Sequence, residues 1–208
     1  MIYRDRIEAG KRLAARLTDY ANRADVLVLA LPRGGVPVAF EVAEALHVPM
    51  DIFLVRKLGV PGHEELAMGA IATGGVRVLN DDVVSALGVP PEVLDTVAAR
   101  EHAELQRRER DYRGDRPAPQ IDGRVVILVD DGMATGATMR AAAAAVRLQG
   151  PARLVVAVPT GAVAACEALT ELADEVVCAT TPEPFLAVGT SYDDFSATSD
   201  REVRELLP

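Results

Sequence analysis

Residues 123–139 read GRVVILVDDGMATGATM, and this stretch decides the fold. The aliphatic run Val125–Val129 is typical of a strand buried on both faces, as in a parallel sheet covered by helices. Asp130 and Asp131 follow directly, so we expect them at the carboxyl end of that strand, where open α/β sheets bind their ligands. An alanine-rich helix is predicted over Met139–Gln149.

The segment between the acids and the helix, residues 132–138, contains two glycines and two threonines. A glycine turn that opens onto a helix N-terminus directs several backbone N–H groups to one point, which suits a phosphate. The two carboxylates would repel that phosphate, so we expect them to hold hydroxyls or a cation beside it. A sugar phosphate has the hydroxyls that the carboxylates would hold and the phosphate that the loop would hold. The spacing is not that of a Walker loop, because three residues separate Gly132 and Gly136 and no lysine follows. The alternative is an ordinary strand–turn–helix with a solvated acidic turn.

Residues Val126–Thr138 resemble the signature of the type I phosphoribosyltransferases, which bind 5-phosphoribosyl-1-pyrophosphate (PRPP). The resemblance implies that Asp130 and Asp131 hold the ribose hydroxyls and take part in catalysis. It also implies Mg²⁺, held mainly by PRPP, with these two acids as candidate ligands through water. In the 6-oxopurine enzymes an acid precedes the Thr-Gly of the loop; here the residue is alanine, which disfavours hypoxanthine or guanine as the acceptor. The resemblance implies that the 5′-phosphate is bound by Ala134, Thr135, Gly136, Ala137 and Thr138.

A second strand–glycine turn–helix unit lies near the start of the chain. The predicted strand Val26–Leu31 leads into Pro32-Arg33-Gly34-Gly35, followed by a helix. The family has a short Arg/Lys-Gly loop here that binds pyrophosphate and often contains a cis peptide, which Leu31-Pro32 or Pro32-Arg33 could carry. The resemblance therefore assigns pyrophosphate to Arg33, Gly34 and Gly35, with Arg33 also catalytic. The alternative is a tight turn with a solvated arginine.

A second strand, Met50–Val55, is followed by Arg56-Lys57-Leu58-Gly59, which is similar to the segment before the mobile loop of adenine-type enzymes. The resemblance places Lys57 at the pyrophosphate as a catalytic and binding residue, with Arg56 packed or paired behind it. The loop Gly59–Glu65 would close as a lid over the ligand, although it could also be mobile and unused. Its polar residues are His63, Glu64 and Glu65.

The remaining chain completes a single domain over residues 1–208, with its core at about 20–80 and 120–180. Gly74-Gly75 predicts a hairpin between the strands 66–73 and 76–80. Residues 81–116 form a helical insertion whose long helix is predicted from Glu92 to about Arg113. Its dense charges indicate either an exposed, salt-bridged helix or a contact with a second subunit, as in a homodimer. The predicted inner face of this helix consists of Leu94, Val97, Ala98, Leu105 and Tyr112.

The tail, residues 180–208, gathers three of the eight aromatic residues and corresponds to the hood that covers the acceptor in the family. Phe185 and Tyr192 are candidates for stacking on the acceptor, and anchoring of the tail on the core is the alternative. The predicted fold class is therefore α/β: a doubly wound, mainly parallel sheet flanked by helices, with a β-hairpin lid and a small C-terminal hood.

The net charge of the chain indicates which classes of binding partner to expect. The net charge of −9 disfavours nucleic acid and membrane surfaces, which attract basic proteins, but not a small anion. We find no export signal or membrane-spanning run and expect a cytoplasmic protein. Cys166 and Cys178 lack metal spacing and are predicted to be buried thiols, with a disulfide as the alternative.

The resemblance implies transfer of a phosphoribosyl group from PRPP–Mg²⁺ to a nitrogen nucleophile, a nucleobase or related heterocycle, with release of pyrophosphate. Two other classes remain open. A PRPP-sensing regulator would bind PRPP without turnover. An interaction protein would use the charged helix, and its ligand-binding loops would be vestigial. The loops at 33–35, 56–59 and 130–138 are all intact, which weighs against this alternative.

Overall fold

The computed structural model describes residues 2–207, except for the side chain of Glu65. A five-stranded parallel sheet has the order β2-β1-β6-β7-β8, and a separate three-stranded antiparallel sheet has the order β3-β4-β5. The predicted α/β class with a mainly parallel, helix-covered sheet is confirmed.

The helices and strands follow one another along the chain in this order: α1 (Arg6–Ala14), β1 (Val26–Ala30), α2 (Gly35–Leu46), β2 (Met50–Ile52), β3 (Val55–Val60), β4 (His63–Ala72), β5 (Val76–Leu79), α3 (Asp81–Leu87), α4 (Pro91–Arg113), β6 (Val125–Val129), α5 (Ala137–Arg147), β7 (Arg153–Thr160), α6 (Val163–Leu169), β8 (Glu175–Thr180) and α7 (Asp200–Leu206), with short 3₁₀ turns at Thr18–Tyr20 and Val188–Ser191.

The middle strand of the parallel sheet is β6, and its residues and those of the neighbouring strand β1 are all buried. Alternate side chains of each strand point to opposite faces. Val28 and Ile127 belong to the core under α1 and α2, whereas Leu29 and Leu128 belong to the core under α5 and α6. Burial on both faces explains the continuous apolar runs.

The register of this pair positions the site. Val26 lies opposite Val125, and Ala30 lies opposite Val129, so the two strands end at the same level. The backbone N–H of Leu31 donates to the Val129 carbonyl at 2.9 Å, which extends the pairing by one step. The loops that follow β1 and β6 therefore leave the sheet side by side.

The predicted strand over residues 50–55 is wrong at its end. The parallel strand β2 stops at Ile52, and β3 begins a new sheet at Val55. At the crossing point the N–H of Leu54 donates to the Thr73 hydroxyl, and the Thr73 N–H donates back to the Leu54 carbonyl, both at 2.9 Å. Because both polar groups of Leu54 are satisfied here, the apolar run can switch sheets without leaving either group buried and unpaired.

The antiparallel sheet packs on α4. Leu58, Met68 and Ile71 form a separate core with the first turns of that helix. The predicted turn at Gly74-Gly75 is confirmed, and both glycines have positive φ, 87° and 72°. All five residues predicted for the inner face of α4 are buried.

The predicted loop Gly59–Glu65 is largely strand. Of its residues only Pro61 and Gly62 lie between β3 and β4, and Gly62 takes the positive φ that the tight turn needs. The pairing of β3 with β4 therefore continues almost to the hairpin tip, with an irregularity at Gly59.

The prediction of free thiols is wrong. Cys166 of α6 and Cys178 of β8 form a disulfide with Cα atoms 6.6 Å apart. The short α6 follows β7 and contacts β8, which brings the two cysteines together although they are 12 residues apart in sequence. The expectation of a reducing cytosol loses the support it drew from free thiols. Within residues 2–207, no helix combines the length and apolar character needed to cross a membrane.

Candidate functional site

The acid pair follows β6 directly, and Asp130 lines a small cavity there. The Asp130 carboxylate accepts the backbone N–H of Asp131 at 2.8 Å. Burial raises the pKa of Asp130 well above its ordinary value, and the charge of Asp131 raises it further. Burial also raises the pKa of Asp131, although a hydrogen bond from Arg6 opposes that rise. Hydrogen-bond donors or a cation in the cleft would therefore favour the ionised pair.

Arg6 is the principal residue that sequence reasoning missed. Its Nε donates to Asp131 Oδ2 at 2.9 Å, and its Nη2 lies 2.8 Å from the same oxygen. Its Nη1 donates to the Ser196 carbonyl at 2.7 Å, and its guanidinium carbon lies 4.1 Å from the Phe195 ring centre. Arg6 thus joins α1, the acid pair and the tail. A single arginine at a helix start carries no motif that could have revealed this contact.

The loop before α5 surrounds a small cavity beside Asp130. The cavity has a volume of about 120 Å³, and its lining includes all five residues predicted to bind phosphate, together with Asp130, Gly132, Met133 and Met139. Gly136 takes a positive φ of 73° immediately before α5 begins. The Met133 N–H donates to the Thr160 carbonyl at 3.0 Å and fixes the loop on β7. The first N–H groups of α5 therefore lie beside the carboxylates.

The loop after β1 approaches the acids so closely that it needs glycine. A Cβ at Gly34 would lie 2.0 Å from Asp131 Oδ2, and one at Gly35 would lie 2.8 Å from the Val129 carbonyl oxygen. The Pro32–Arg33 peptide is cis, one of the two positions expected to carry such a bond. The Arg33 side chain is half exposed and lies 3.7 Å from Asp200 of α7. The structure thus brings together the acids, the phosphate loop and the Arg33 loop.

Lys57 lies apart from these three groups. It is exposed on β3 and lines a different cavity, of about 360 Å³, with Arg100 and Glu64 among its neighbours. Arg56 is paired behind it, as expected, through two bonds of 3.0 and 2.7 Å to Glu101 of α4. Sequence reasoning missed Glu101 because it falls within the charged part of that helix.

The predicted lid residues lie near the tip of the β3–β4 hairpin. His63 and Glu64 are exposed, and Glu64 accepts the Gly62 N–H at 3.2 Å. The side chain of Glu65 lies outside the described residues. His63 and Glu64 neither contact the acid pair nor line the cavity beside Asp130.

In the hood, Tyr192 is buried and its hydroxyl donates to the Asp131 carbonyl. Its ring centre lies 5.6 Å from that of Tyr3 and 5.1 Å from that of Phe195. These contacts are those of the tail-anchoring alternative. Phe185 is half-buried, before the 3₁₀ turn of the tail.

Comparison with known proteins identifies this arrangement. The sequence model of the phosphoribosyl transferase domain matches residues 62–193, which include the acid pair and the phosphate loop. The Thermus thermophilus protein TT1426 is 44% identical, with a TM-score of 0.89, and the alignment covers 100% of this chain and 98% of that one. The chain belongs to the phosphoribosyltransferase family.

Other relatives agree with this assignment. Rv0571c of Mycobacterium tuberculosis H37Rv is named as a phosphoribosyl transferase. It is 49% identical to this chain over 206 residues, which are 99% of this chain and 46% of that protein. This phosphoribosyltransferase-family chain therefore spans about half the length of the curated relatives it matches. AQ2163 of Aquifex aeolicus, at 12% identity and a TM-score of 0.53 over 88% of this chain and 78% of that one, shares the fold.

The acidic side chains of this family member suit a metal ion held mostly by substrate. Mg²⁺ prefers oxygen ligands and retains several waters, so one or two carboxylates suffice beside phosphate oxygens. In the part of the chain that the structure describes, no three His, Cys, Asp or Glu side chains cluster to hold an ion. Asp130 and Asp131 fit a substrate-borne Mg²⁺ better than a permanent protein site.

Proposed function

We propose that this chain binds PRPP–Mg²⁺ and transfers its phosphoribosyl group to a nitrogen heterocycle, with release of pyrophosphate. One observation carries the proposal. Asp130 and the N-terminal turn of α5 line one cavity, and Asp131 lies against Gly34 of the Arg33 loop. These groups match the hydroxyls, the 5′-phosphate and the pyrophosphate of one substrate.

The ribose would be held by Asp130 and Asp131 as acceptors for its hydroxyls. Arg6 bonds to a single oxygen of Asp131, so the ribose would share this carboxylate with it. The 5′-phosphate would accept bonds from the loop amides over residues 134–138 and from Thr135 and Thr138, at the positive end of α5.

The pyrophosphate would lie against the Arg33 loop. Because Gly34 and Gly35 let this loop lie directly against the acids, a pyrophosphate held at Arg33 would be close to a ribose held by Asp130 and Asp131. Lys57 would join only if the β3–β4 hairpin, which carries His63 and Glu64, moves towards the cleft; we propose that motion as the lid closure.

In the reaction, the C1–oxygen bond to pyrophosphate breaks and a C1–nitrogen bond forms on the opposite face. The electron pair leaves with the pyrophosphate oxygen, and the acceptor nitrogen releases its proton to water. The transition state resembles the oxocarbenium ion of glycoside cleavage. Protein residues position the ribose, neutralise the departing charge and keep water from C1. Mg²⁺ bound to PRPP would supply further positive charge to the leaving group.

The acceptor side is the least constrained part of the proposal. Ala134 stands where the 6-oxopurine enzymes have an acid, which favours other heterocycles. Phe185 remains the candidate for stacking on the acceptor, whereas the ring of Tyr192 already packs between Tyr3 and Phe195. We assign Tyr192 the supporting role of fixing the hood on Asp131.

The test is pyrophosphate release from PRPP and Mg²⁺ with a panel of purines, pyrimidines and other nitrogen heterocycles, and PRPP binding is followed by calorimetry. We expect binding without acceptor and release with one acceptor class. Binding without release for the whole panel would favour the PRPP-sensing alternative. Absence of PRPP binding would contradict the assignment of the cleft.

A further inference from the structure

A second polar cavity lies on the other side of Arg33, between α4 and α7. Its volume is about 230 Å³, below the roughly 300–1,000 Å³ of pockets for drug-sized ligands. Every side chain that lines it is polar or charged, in contrast to the mainly apolar lining of such pockets. The lining residues are Arg33, Arg107, Arg108, Asp111, Tyr112, Asp200 and Arg204.

Four arginines and two aspartates leave this cavity with excess positive charge, although the chain as a whole has a net charge of −9. The side chains of Arg33, Arg107 and Arg108 are 51%, 56% and 45% exposed, so water screens part of this charge, and the remainder favours an anion.

The existing ion pairs do not use all of this charge. Glu104, outside the cavity, accepts bonds from both Arg107 and Arg108 at 2.8–3.0 Å, and Asp111 accepts a further bond from Arg107 at 2.8 Å. Asp200 already accepts the Tyr112 hydroxyl at 2.6 Å, and its contact with Arg33 is long, at 3.7 Å. Within residues 2–207, no hydrogen bond or ion pair within 4.0 Å engages Arg204, although its charge, after the Tyr112 hydrogen bond and the charge of Arg33, helps to lower the pKa of Asp200.

We infer that this cavity binds a small, multiply charged phosphate anion of the diphosphate class. Arginine suits the ligand because its planar guanidinium donates two parallel bonds to phosphate oxygens. A nucleotide fits poorly, because Tyr112 is buried and offers its hydroxyl rather than an open ring face. The site shares Arg33 with the proposed pyrophosphate loop but none of the acid pair or the α5 loop. When PRPP occupies the pyrophosphate loop and Arg33, the other three arginines, Arg107, Arg108 and Arg204, remain for the anion, and this inference goes beyond the proposed transfer reaction.

The test is calorimetric titration of the full chain with inorganic diphosphate, alone and after saturation with PRPP and Mg²⁺ in the absence of acceptor. We expect one diphosphate to bind to the PRPP-saturated protein. Arg204→Gln should weaken that binding about tenfold, since it removes a charged donor. Arg201→Gln is the matched control, because Arg201 lies on the same helix, is exposed and pairs with Glu205 instead. We expect its effect to be less than about twofold.

Two results would overturn the inference. Loss of all diphosphate binding on saturation with PRPP would mean that the anion occupies only the PRPP cleft. Equal weakening by both substitutions would mean diffuse attraction to a basic surface. If PRPP itself does not bind, the proposed function fails, but the Arg204 dependence in the free protein still tests this cavity.

Discussion

The loops after β1 and β6 leave the sheet at the same level but carry opposite charge. The β1 loop presents Arg33, whose side chain is 51% exposed, whereas the β6 loop presents Asp131, whose side chain is 14% exposed. The basic group is thus half exposed to water, whereas burial raises the pKa of both acids. The glycines of the first loop let the backbone approach the carboxylates of the second.

This difference shows how one strand pair can serve a ligand with two kinds of polar group. Hydroxyls are best held by desolvated carboxylates, since a buried acceptor forms a stronger hydrogen bond. A phosphate chain that must leave after reaction is better held by exposed cations and backbone amides, which release it more easily. The sheet provides the stability that offsets the unfavourable burial of the acid pair.

The largest expected effect tests the acidic loop. Asp131→Asn keeps the size of the side chain but weakens its ability to accept ribose hydroxyls and leaves Arg6 without its ionic partner. We expect pyrophosphate release to fall at least about 100-fold in steady-state assays, with a native circular dichroism spectrum. Asp193→Asn, at an exposed position in the tail, is the control. Unchanged turnover in the folded variant would remove Asp131 from the mechanism.

The next effect tests the close approach of the two loops. Gly34→Ala has no backbone strain, because φ is −61°, but its Cβ would meet Asp131 Oδ2, which Arg6 holds in place. We expect a loss of about 1–3 kcal/mol in urea unfolding and PRPP binding roughly tenfold weaker. Gly123→Ala is the contrasting control, because its φ is +71° and no atom lies within 4 Å. That variant should lose stability by strain alone, so equal loss of PRPP affinity would contradict the steric argument.

The parts of the site that sequence predicts are those built from continuous segments. A buried strand, two acids and a glycine turn onto a helix form a local pattern, so the position of Asp130 and of the loop at 134–138 follows from adjacency. Arg6 lies 125 residues from Asp131, and only the packing of α1 on the fold brings them together. The switch between sheets at Leu54 was missed because an apolar run does not show which sheet its residues join.

The pH dependence of unfolding measures the free energy that burial of Asp130 costs the acidic loop, a cost that the exposed Arg33 loop does not share. The pKa of Asp130 is raised on folding, so the stability it contributes is fully present below the ordinary carboxyl pKa of about 3.9 and is lost as pH rises through the raised value. Asp130→Asn should therefore be more stable than the parent at pH 7 by about 0.5–2 kcal/mol, and the difference should vanish towards pH 4. Urea unfolding of both proteins between pH 4 and 8 measures this difference. A gain that is independent of pH would exclude the titration of Asp130 as its cause.

The smallest expected effect tests which loop binds which phosphate group: the α5 loop the 5′-phosphate, and the Arg33 loop the pyrophosphate. Thr135 is exposed and its hydroxyl makes only a long contact, 3.4 Å, with the Ala137 N–H, so it is available to donate to a ligand. Thr135→Val preserves the side-chain shape and should weaken PRPP and ribose 5-phosphate equally, by about three- to tenfold, the usual effect of one hydrogen bond. Arg33→Gln should weaken PRPP alone, because ribose 5-phosphate lacks the pyrophosphate. Calorimetry with both ligands gives the four affinities. If Arg33→Gln weakened ribose 5-phosphate while Thr135→Val did not, the two loops would have exchanged roles, and the 5′-phosphate would lie against the basic loop rather than at the start of α5.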